Sequence, residues 1–562
     1  MTSDIKTVSL LADLFEKKGL TDIVISPGSR NAPLIIAFGG NNAVDAYTVV
    51  DERSAAFFAL GLAQKSGKPV AISCTSGSAA LNYAPAISEA YYQKIPLLIL
   101  TADRPPNMID VGDGQTIRQE NVYASYVKKS YSLPLNVDNA NDYDRANHTI
   151  NEAIDECMFP EPGPVHINIP LDEPLYKTTD WGLEGTVENT TEPMPAVSEN
   201  LKKEFAGLLN SGKKILILAG QSEPSKEKET LLSQWAAMDQ IVVMTETTSN
   251  LNNDRFIDNI DNVLTAIPEG EEQNFAPQIL ITTGGAIVSK KIKKYLREYK
   301  PEQHWHISAS GEKLDTFYSL SKVVQAKPLD FLSSIRGTVQ SVSGDYGKRW
   351  LDVKKHVSKL RAEYLRELPY SDLKVFEVLL KQMPENSVLH LGNSTPVRYS
   401  QLFGSSRKFE YFSNRGVSGI DGQLSTAAGF ALKSDKVNTL ITGDLGFFYD
   451  SNALMNRHLT PNLRVIVINN GGGGIFRFIP GPDTTEQLER FFEAQHSWKA
   501  EKLAAAFDIP YFKVENQQEL ELIVPEFYKD LSKPVLLEIF TPGKLNAQLL
   551  RDYFSFLKNS SH

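Results

Sequence analysis

The 562-residue chain predicts three α/β domains in tandem, each a mainly parallel sheet flanked by helices. Three observations predict this. Short apolar runs alternate with stretches of helical periodicity, the pattern of parallel strands covered on both faces. The pattern comes in three blocks, separated by a polar stretch without periodicity, "LYKTTDWGLEGTVENTTEPMPAVSEN" (175–200), and by a long charged helical stretch, "RWLDVKKHVSKLRAEYLREL" (349–368). Finally, 562 residues are too many for a single core. The expected domains span 1–180, 198–335 and 370–562.

In the first block, an amphipathic helix ending at Gly19 precedes candidate strands at 22–26, 46–50, 69–74 and 96–102, with helical patterns at 52–66 and 77–92 between them. The second block holds strands at 215–220, 241–246, 278–284 and 304–308. The third holds strands at 387–392, 438–444, 463–470 and 534–540. No internal repeat is visible in the sequence.

Composition narrows the function classes. The net charge of -10 argues against a general nucleic-acid binder. Two cysteines, Cys74 and Cys157, make neither a disulfide framework nor a cysteine-rich metal site. No apolar run reaches the ~20 residues needed to cross a bilayer. The amino-terminal segment lacks the basic start and apolar core of a signal peptide, so a cytoplasmic protein without membrane or nucleic-acid partners is expected.

Parallel sheets bind ligands beyond the carboxyl ends of their strands, so the loops after strands are the places to look. "GLLNSGKK" (207–214) imitates a phosphate-binding loop but ends in Lys214 instead of a hydroxyl residue, and it precedes a strand where a P-loop would follow one. It reads as a helix-end turn. Two strand ends of the third block do better. "LITGDLGFFYD" ends a strand at Asp444, and 26 positions later "VIVINNGGGG" ends another at Asn469 and Asn470. If the strands are neighbours, Asp444 and Asn470 converge. A carboxylate with a neutral amide oxygen suits Mg²⁺, and a helix starting after Gly446 would direct N–H groups at a diphosphate. Each motif alone fits a helix cap or a turn; together they indicate a metal–diphosphate site. The four glycines 471–474 follow the metal-binding asparagine, where clearance for a close approach explains them better than flexibility does. Glu52, after the strand at 46–50, opens a helix, where an acid is also favoured by the helix dipole. His166 and His390 read as packed core residues.

G-D-x followed at this distance by N-N resembles the thiamine diphosphate motif. The stretches "SPGSRNAPL" (26–34), "DERSAAF" (51–57), "TSGSAALN" (75–82), "LTADRPP" (100–106), "SNRGVSGIDG" (413–422) and "NNGGGGIFRFIP" (469–480) are together similar to the SEPHCHC synthase branch of menaquinone biosynthesis within the thiamine diphosphate-dependent enzymes. Leu445 departs from the glycine common in the motif without touching the ligands, and Gly471 stands where a third polar residue is usual.

The resemblance implies the three-domain thiamine diphosphate-enzyme fold, thiamine diphosphate with Mg²⁺ or Mn²⁺ as cofactors, and a homo-oligomer, dimer or tetramer, whose active site lies between subunits. It implies that 2-oxoglutarate is decarboxylated and its remainder joined to isochorismate. Asp444, the Asn470 side chain and the Gly472 carbonyl become the implied metal ligands, and Glu52 the catalytic acid on the cofactor's aminopyrimidine ring. Gly446 and Ser394 are placed beside the cofactor, Ile420 under its bend, and Ile475 and Phe476 as an apolar wall. Ser29, Arg30, Arg104 and Gln115 are implied at isochorismate, and Arg398 and Arg415 at the carboxylates of 2-oxoglutarate. Arginine suits such carboxylates because it binds them bidentately. Lys290 and Lys291 are candidates for added central-domain charge, with an exposed basic helix face as the equal reading. The rival is an acetolactate-synthase-like enzyme acting on pyruvate, for which four arginines would be superfluous. A Rossmann oxidoreductase is disfavoured because no G-x-G-x-x-G follows the first strand.

Overall fold

The computed structural model describes residues 1–479, 481–530 and 532–560. Pro480, which ends the motif beginning at Asn469, and residues 561 and 562, which end the third expected domain, lie outside the described residues. Among the described residues, three parallel sheets flanked by helices, with a small antiparallel pair of Thr2–Ser3 and Thr178–Thr179 beside them, make up an α/β fold.

The first sheet has six strands in the order Asp45–Thr48, Asp22–Ile25, Val70–Cys74, Leu97–Asp103, Val165–Pro170, Ser130–Ser132. The central sheet has five, Ile241–Thr245, Ile215–Ala219, Ile279–Thr283, Gln303–Ser308, Leu320–Gln325. The third again has six, Phe409–Phe412, Ser387–Leu391, Asn438–Gly443, Leu463–Asn469, Val535–Phe540, Tyr511–Val514. Numbered along the chain, the first and third sheets share one strand order, 2-1-3-4-6-5. That repeat is invisible in the sequence.

Interior strands are continuous apolar runs because helices cover both faces. In Leu463–Asn469 every residue is buried. The strands absent from the sequence reading are mostly edges: Ser130–Ser132, Leu320–Gln325, Phe409–Phe412 and Tyr511–Val514 each end a sheet. Edge strands carry polar residues such as Lys322 and Lys513, which blunt the apolar signal. Val165–Pro170 is the exception, an interior strand whose His166 and Asn168 join a buried network with Thr101. Burial pushes the His166 imidazole down to about 3 and that of His390 to about 4, so both are neutral core residues.

Asp51 caps the Glu52–Ser66 helix, its side chain accepting from the backbone N–H groups of Arg53 and Ser54, and the helix stops at Gly67, left-handed with φ 65°. It packs along the Gln423–Leu432 helix, and one hydrophobic cluster runs from Val24 and Ile72 through Phe57 and Phe58 to Leu440 and Val465. First and third domains therefore share a core. The expected helix at 77–92 is broken at Tyr83 into Ser78–Asn82 and Ala84–Gln93, with Pro85 in the opening turn of the second. The expected linker is pinned for part of its length: Gly185, Thr186 and Glu188 donate their N–H groups to Asp13, Asn147 and Asn151. Gly207 falls inside the Glu199–Leu209 helix that leads into Ile215–Ala219, as expected of a helix-end turn. Among the described residues, no helix is long and apolar enough to cross a membrane.

Candidate active site

Strands Asn438–Gly443 and Leu463–Asn469 are parallel neighbours with Gly443 opposite Ile468, so the residues that follow them emerge side by side. The Asp444 carboxylate is buried. Its Oδ1 accepts from Leu445 N at 2.7 Å, and its Oδ2 accepts from Gly471 N and Gly472 N, both at 2.9 Å. The helix starts at Asp444 itself and runs to Tyr449, three residues earlier than the start expected after Gly446. The paired asparagines face opposite ways. Asn469 donates to Glu538 Oε1 at 2.7 Å, inside the sheet. Asn470 follows the strand, and its Oδ1 is buried with no hydrogen-bond partner. A buried acceptor left unpaired costs about 1–3 kcal/mol, which a bound cation would offset.

The glycine run gives this corner its shape. Gly471 has φ 83° and Gly472 φ 148°, both in the region that favours glycine, and a Cβ on Gly472 would lie 2.6 Å from the Glu493 carbonyl. The Gly472 carbonyl accepts from Gly474 N at 2.9 Å and keeps a second lone pair. A cleft of about 190 Å³ opens here, lined by Asn470, Gly471, Gly472, Gly474 and His496 among others. The His496 ring stacks on Trp498 at 4.5 Å, and its Nε2 lies 3.3 Å from Asp444 Oδ2. Among the described residues, no group of three or more His, Cys, Asp or Glu is placed to hold a metal ion. A cation at Asp444 would therefore draw on amide and carbonyl oxygens, a donor set that fits Mg²⁺. Gly446 is buried beneath Ile420, whose carbonyl lies 3.4 Å from the position of a Cβ there. Ile475 and Phe476 sit on the short helical turn Gly474–Arg477, the Phe476 ring 5.6 Å from that of Phe492.

Two arginines stand at the strand ends of the first sheet, each paired with a carboxylate. Arg30 is buried, donating from Nη1 to Leu171 O at 3.0 Å and pairing with Glu173 at 3.3 Å; burial and then the neighbouring Arg104 lower its pKa. Arg104 donates to Gly114 O at 3.2 Å. Ser29 is exposed beside Arg30, and Gln115, with φ 55°, has its carbonyl bonded to Ser76 at 2.9 Å. Glu52 lies at the start of its helix, 3.5 Å from Asn82 Nδ2. Its neighbours reach across to the third domain: Arg53 donates to Tyr449 O at 2.7 Å, and Asn452 donates to Asp51 at 2.7 Å. Those contacts meet the far end of the Asp444–Tyr449 helix. Among the described residues, no hydrogen bond or ion pair joins Glu52 to Asp444 or Asn470.

A second cluster gathers around Arg398 and Arg415. Ser394, at φ 74°, precedes the Thr395–Phe403 helix, and its carbonyl accepts from Arg398. Burial and then the charge of Arg415 lower the Arg398 pKa. Arg415 donates from Nη1 to Asn393 Oδ1 at 2.8 Å, and its Nε is buried without a partner. Two remote carboxylates steady this corner. Glu89, from the first domain, accepts from Gly416 N at 2.6 Å and Val417 N at 2.7 Å. Glu246, from the central domain, accepts from Val288 N and Ser289 N, both at 2.7 Å, and burial pushes it up to about 7.

The candidate lysines separate. Lys290 is exposed. The Lys291 amine bonds Thr265 and lies 3.6 Å over the Phe554 ring, so it is not brought to the arginines. Lys293, absent from the sequence reading, donates to Ile287 O at 2.7 Å and feels the charges of Glu246, Arg415 and Arg398. Asn393 was missed as well; its position beside Ser394 in "GNSTPVR" was the available signal.

The chain matches three sequence profiles: "Thiamine pyrophosphate enzyme, N-terminal TPP binding domain" over residues 5–122, "Middle domain of thiamine pyrophosphate" over 195–391, and "Thiamine pyrophosphate enzyme, C-terminal TPP binding domain" over 392–539. Among curated relatives, a protein of Flavobacterium psychrophilum is 45% identical over 549 residues, 97% of this chain and 98% of the relative. One from Christiangramia forsetii is 42% identical over 565 residues, 96% and 97% of the two chains, and one from Porphyromonas gingivalis is 41% identical over 575 residues, 100% and 98%. All three are named 2-succinyl-5-enolpyruvyl-6-hydroxy-3-cyclohexene-1-carboxylate synthase. With full-length similarity at this level, the chain belongs to the 2-succinyl-5-enolpyruvyl-6-hydroxy-3-cyclohexene-1-carboxylate synthase family of thiamine pyrophosphate enzymes.

Proposed function

We propose that the chain is a carbon–carbon bond-forming transferase that removes CO₂ from 2-oxoglutarate and joins the four-carbon remainder to isochorismate, giving the product in its relatives' name. Thiamine diphosphate, when bound, supplies the carbon nucleophile and accommodates the electron pair left by departing CO₂. The remaining tasks fall to this chain. Asp444, Asn470 and the Gly472 carbonyl hold Mg²⁺ or Mn²⁺, and the unpartnered Asn470 oxygen supports that assignment. Glu52 donates a proton to the aminopyrimidine ring nitrogen. Ile475 and Phe476 exclude water, Ser394, Gly446 and Ile420 line the cofactor's place, and Ser29, Arg30, Arg104 and Gln115 receive isochorismate.

The observation that carries the substrate reading is the buried Arg415, whose Nε has no partner, with the half-buried Arg398 and Lys293 in the reach of its charge. A buried guanidinium with an N–H left unpaired suits an anionic ligand, and a dicarboxylate such as 2-oxoglutarate fits. Pyruvate has no second carboxylate to occupy them. As the family resemblance implies, we assign the complete site to two copies in a dimer or tetramer, acting in the cytoplasm. Purified protein with thiamine diphosphate, Mg²⁺, 2-oxoglutarate and isochorismate tests the reading: 2-oxoglutarate should disappear only when isochorismate is present. Consumption of pyruvate instead would overturn it.

A further inference from the structure

An asparagine that serves a cation must show it the correct end of its amide. The oxygen and the NH₂ group have nearly the same shape, yet only the oxygen is a ligand, and the NH₂ group would set a donor against positive charge. Packing cannot distinguish the two ends. Only a hydrogen-bond partner of one polarity can.

Asn470 has such a partner. Its Nδ2 donates to Asp372 Oδ2 at 3.2 Å, while its Oδ1 is buried without a partner, and Asn470 lines the cleft together with Gly471 and Gly472. Asp372 opens the Asp372–Gln382 helix and is 2% exposed. It is itself held from two directions. Thr541 donates to its Oδ1 at 2.5 Å, and its backbone N–H donates to Asn546 Oδ1 at 2.9 Å. Asn546 closes the ring by donating to Thr541 Oγ1 at 3.2 Å. With Oδ1 taken, Oδ2 is left for Asn470, and an ionised carboxylate accepts but never donates. Turning the Asn470 amide over would set oxygen against oxygen and leave the NH₂ group facing the cation.

We propose that Asp372 is a positioning residue that fixes the Asn470 amide with its oxygen toward the cation site beside Asp444 and Gly472. The inference rests on the reading of Asn470 as a metal ligand and extends it to a residue nearly one hundred positions away, in a segment, "SDLK", that reads by itself as an ordinary capped helix start. Oriented partners behind a metal ligand characteristically contribute 10–100-fold in metal affinity.

The test is the apparent Mn²⁺ dissociation constant, read from the spin-resonance signal of free Mn²⁺ with full-length protein and saturating thiamine diphosphate. Asp372→Ala should weaken Mn²⁺ about 10–100-fold. Asp372→Asn, which keeps the shape but can donate as well as accept, should fall between wild type and the alanine variant, and it carries the test if the alanine variant does not fold. On an Asn470→Ala background, Asp372→Ala should add little, because Asp372 acts through Asn470. Wild-type Mn²⁺ affinity in both Asp372 variants, with only a lowered melting temperature, would make the residue merely structural and overturn the inference. So would a full additional loss on the Asn470→Ala background. If Asn470→Ala itself leaves Mn²⁺ affinity unchanged, the metal-ligand reading fails instead, a distinguishable result.

Discussion

The first and third sheets share the strand order 2-1-3-4-6-5 and differ almost entirely in what stands at their strand ends. After the first, third and fourth strands, the first sheet presents Ser29 and Arg30, then Thr75 and Ser76, then Arg104. The third sheet presents Asn393 and Ser394, then Asp444, then Asn469 and Asn470 at the same places. One scaffold thus carries arginines at the strand ends of one sheet and side-chain oxygens at those of the other, which we assign to substrate and to metal. The fold determines where chemistry can stand, and the residues just past the strands determine which chemistry it is.

The largest expected effect tests the division of labour directly. Glu52→Gln should keep the fold and the affinity for thiamine diphosphate but lower kcat by about 10²–10⁴-fold, the range of a lost acid–base group. Near-normal turnover would remove Glu52 from the chemistry. Asp444→Ala should act on binding and stability together. It leaves the N–H groups of Leu445 and Gly472 without their acceptor, and that of Gly471 with only Asn469 Oδ1 at 3.2 Å, at about 1–3 kcal/mol for each left unpaired and buried, so the melting temperature should fall along with metal affinity. A variant with unchanged melting temperature and Mg²⁺ dependence would show that the carboxylate is not the centre of this corner.

Substrate contacts should come next. Arg415→Ala is expected to lower kcat/KM for 2-oxoglutarate about 10–100-fold, as the loss of a charged hydrogen-bond partner at 1.5–3 kcal/mol would do. Arg30→Ala should act on isochorismate instead. The smallest effects separate two lysines on one helix: Lys293→Ala should raise KM for 2-oxoglutarate, while Lys291→Ala should leave it near the wild-type value. The opposite ranking would reassign the central-domain contribution.

Those lysines show what the sequence could and could not reveal. The sheets were legible because buried parallel strands are continuous apolar runs, and Asp444 and Asn470 were legible because each stands at the end of such a run. Residues 291 and 293 lie two positions apart, about 200° around a helix, so only packing decides which one meets Arg415. Asn393, Glu89 and Glu246 act through hydrogen bonds to distant loops, and local sequence carries no mark of such partners. The repeated topology stayed hidden because it resides in strand order, and four edge strands that complete it or close the central sheet are short and mixed in polarity.

The central claim is that the arginine- and acid-bearing rim of one copy meets the metal corner of another. The most direct measurement mixes two inactive variants, Glu52→Gln and Asp444→Ala, under conditions that exchange subunits, and assays turnover. If the rim and the corner belong to different copies, each hybrid pair contains one site with both residues intact, and activity returns on mixing. If both residues of a site come from the same chain, every site in every hybrid keeps one defect, and the mixture stays as inactive as its parts.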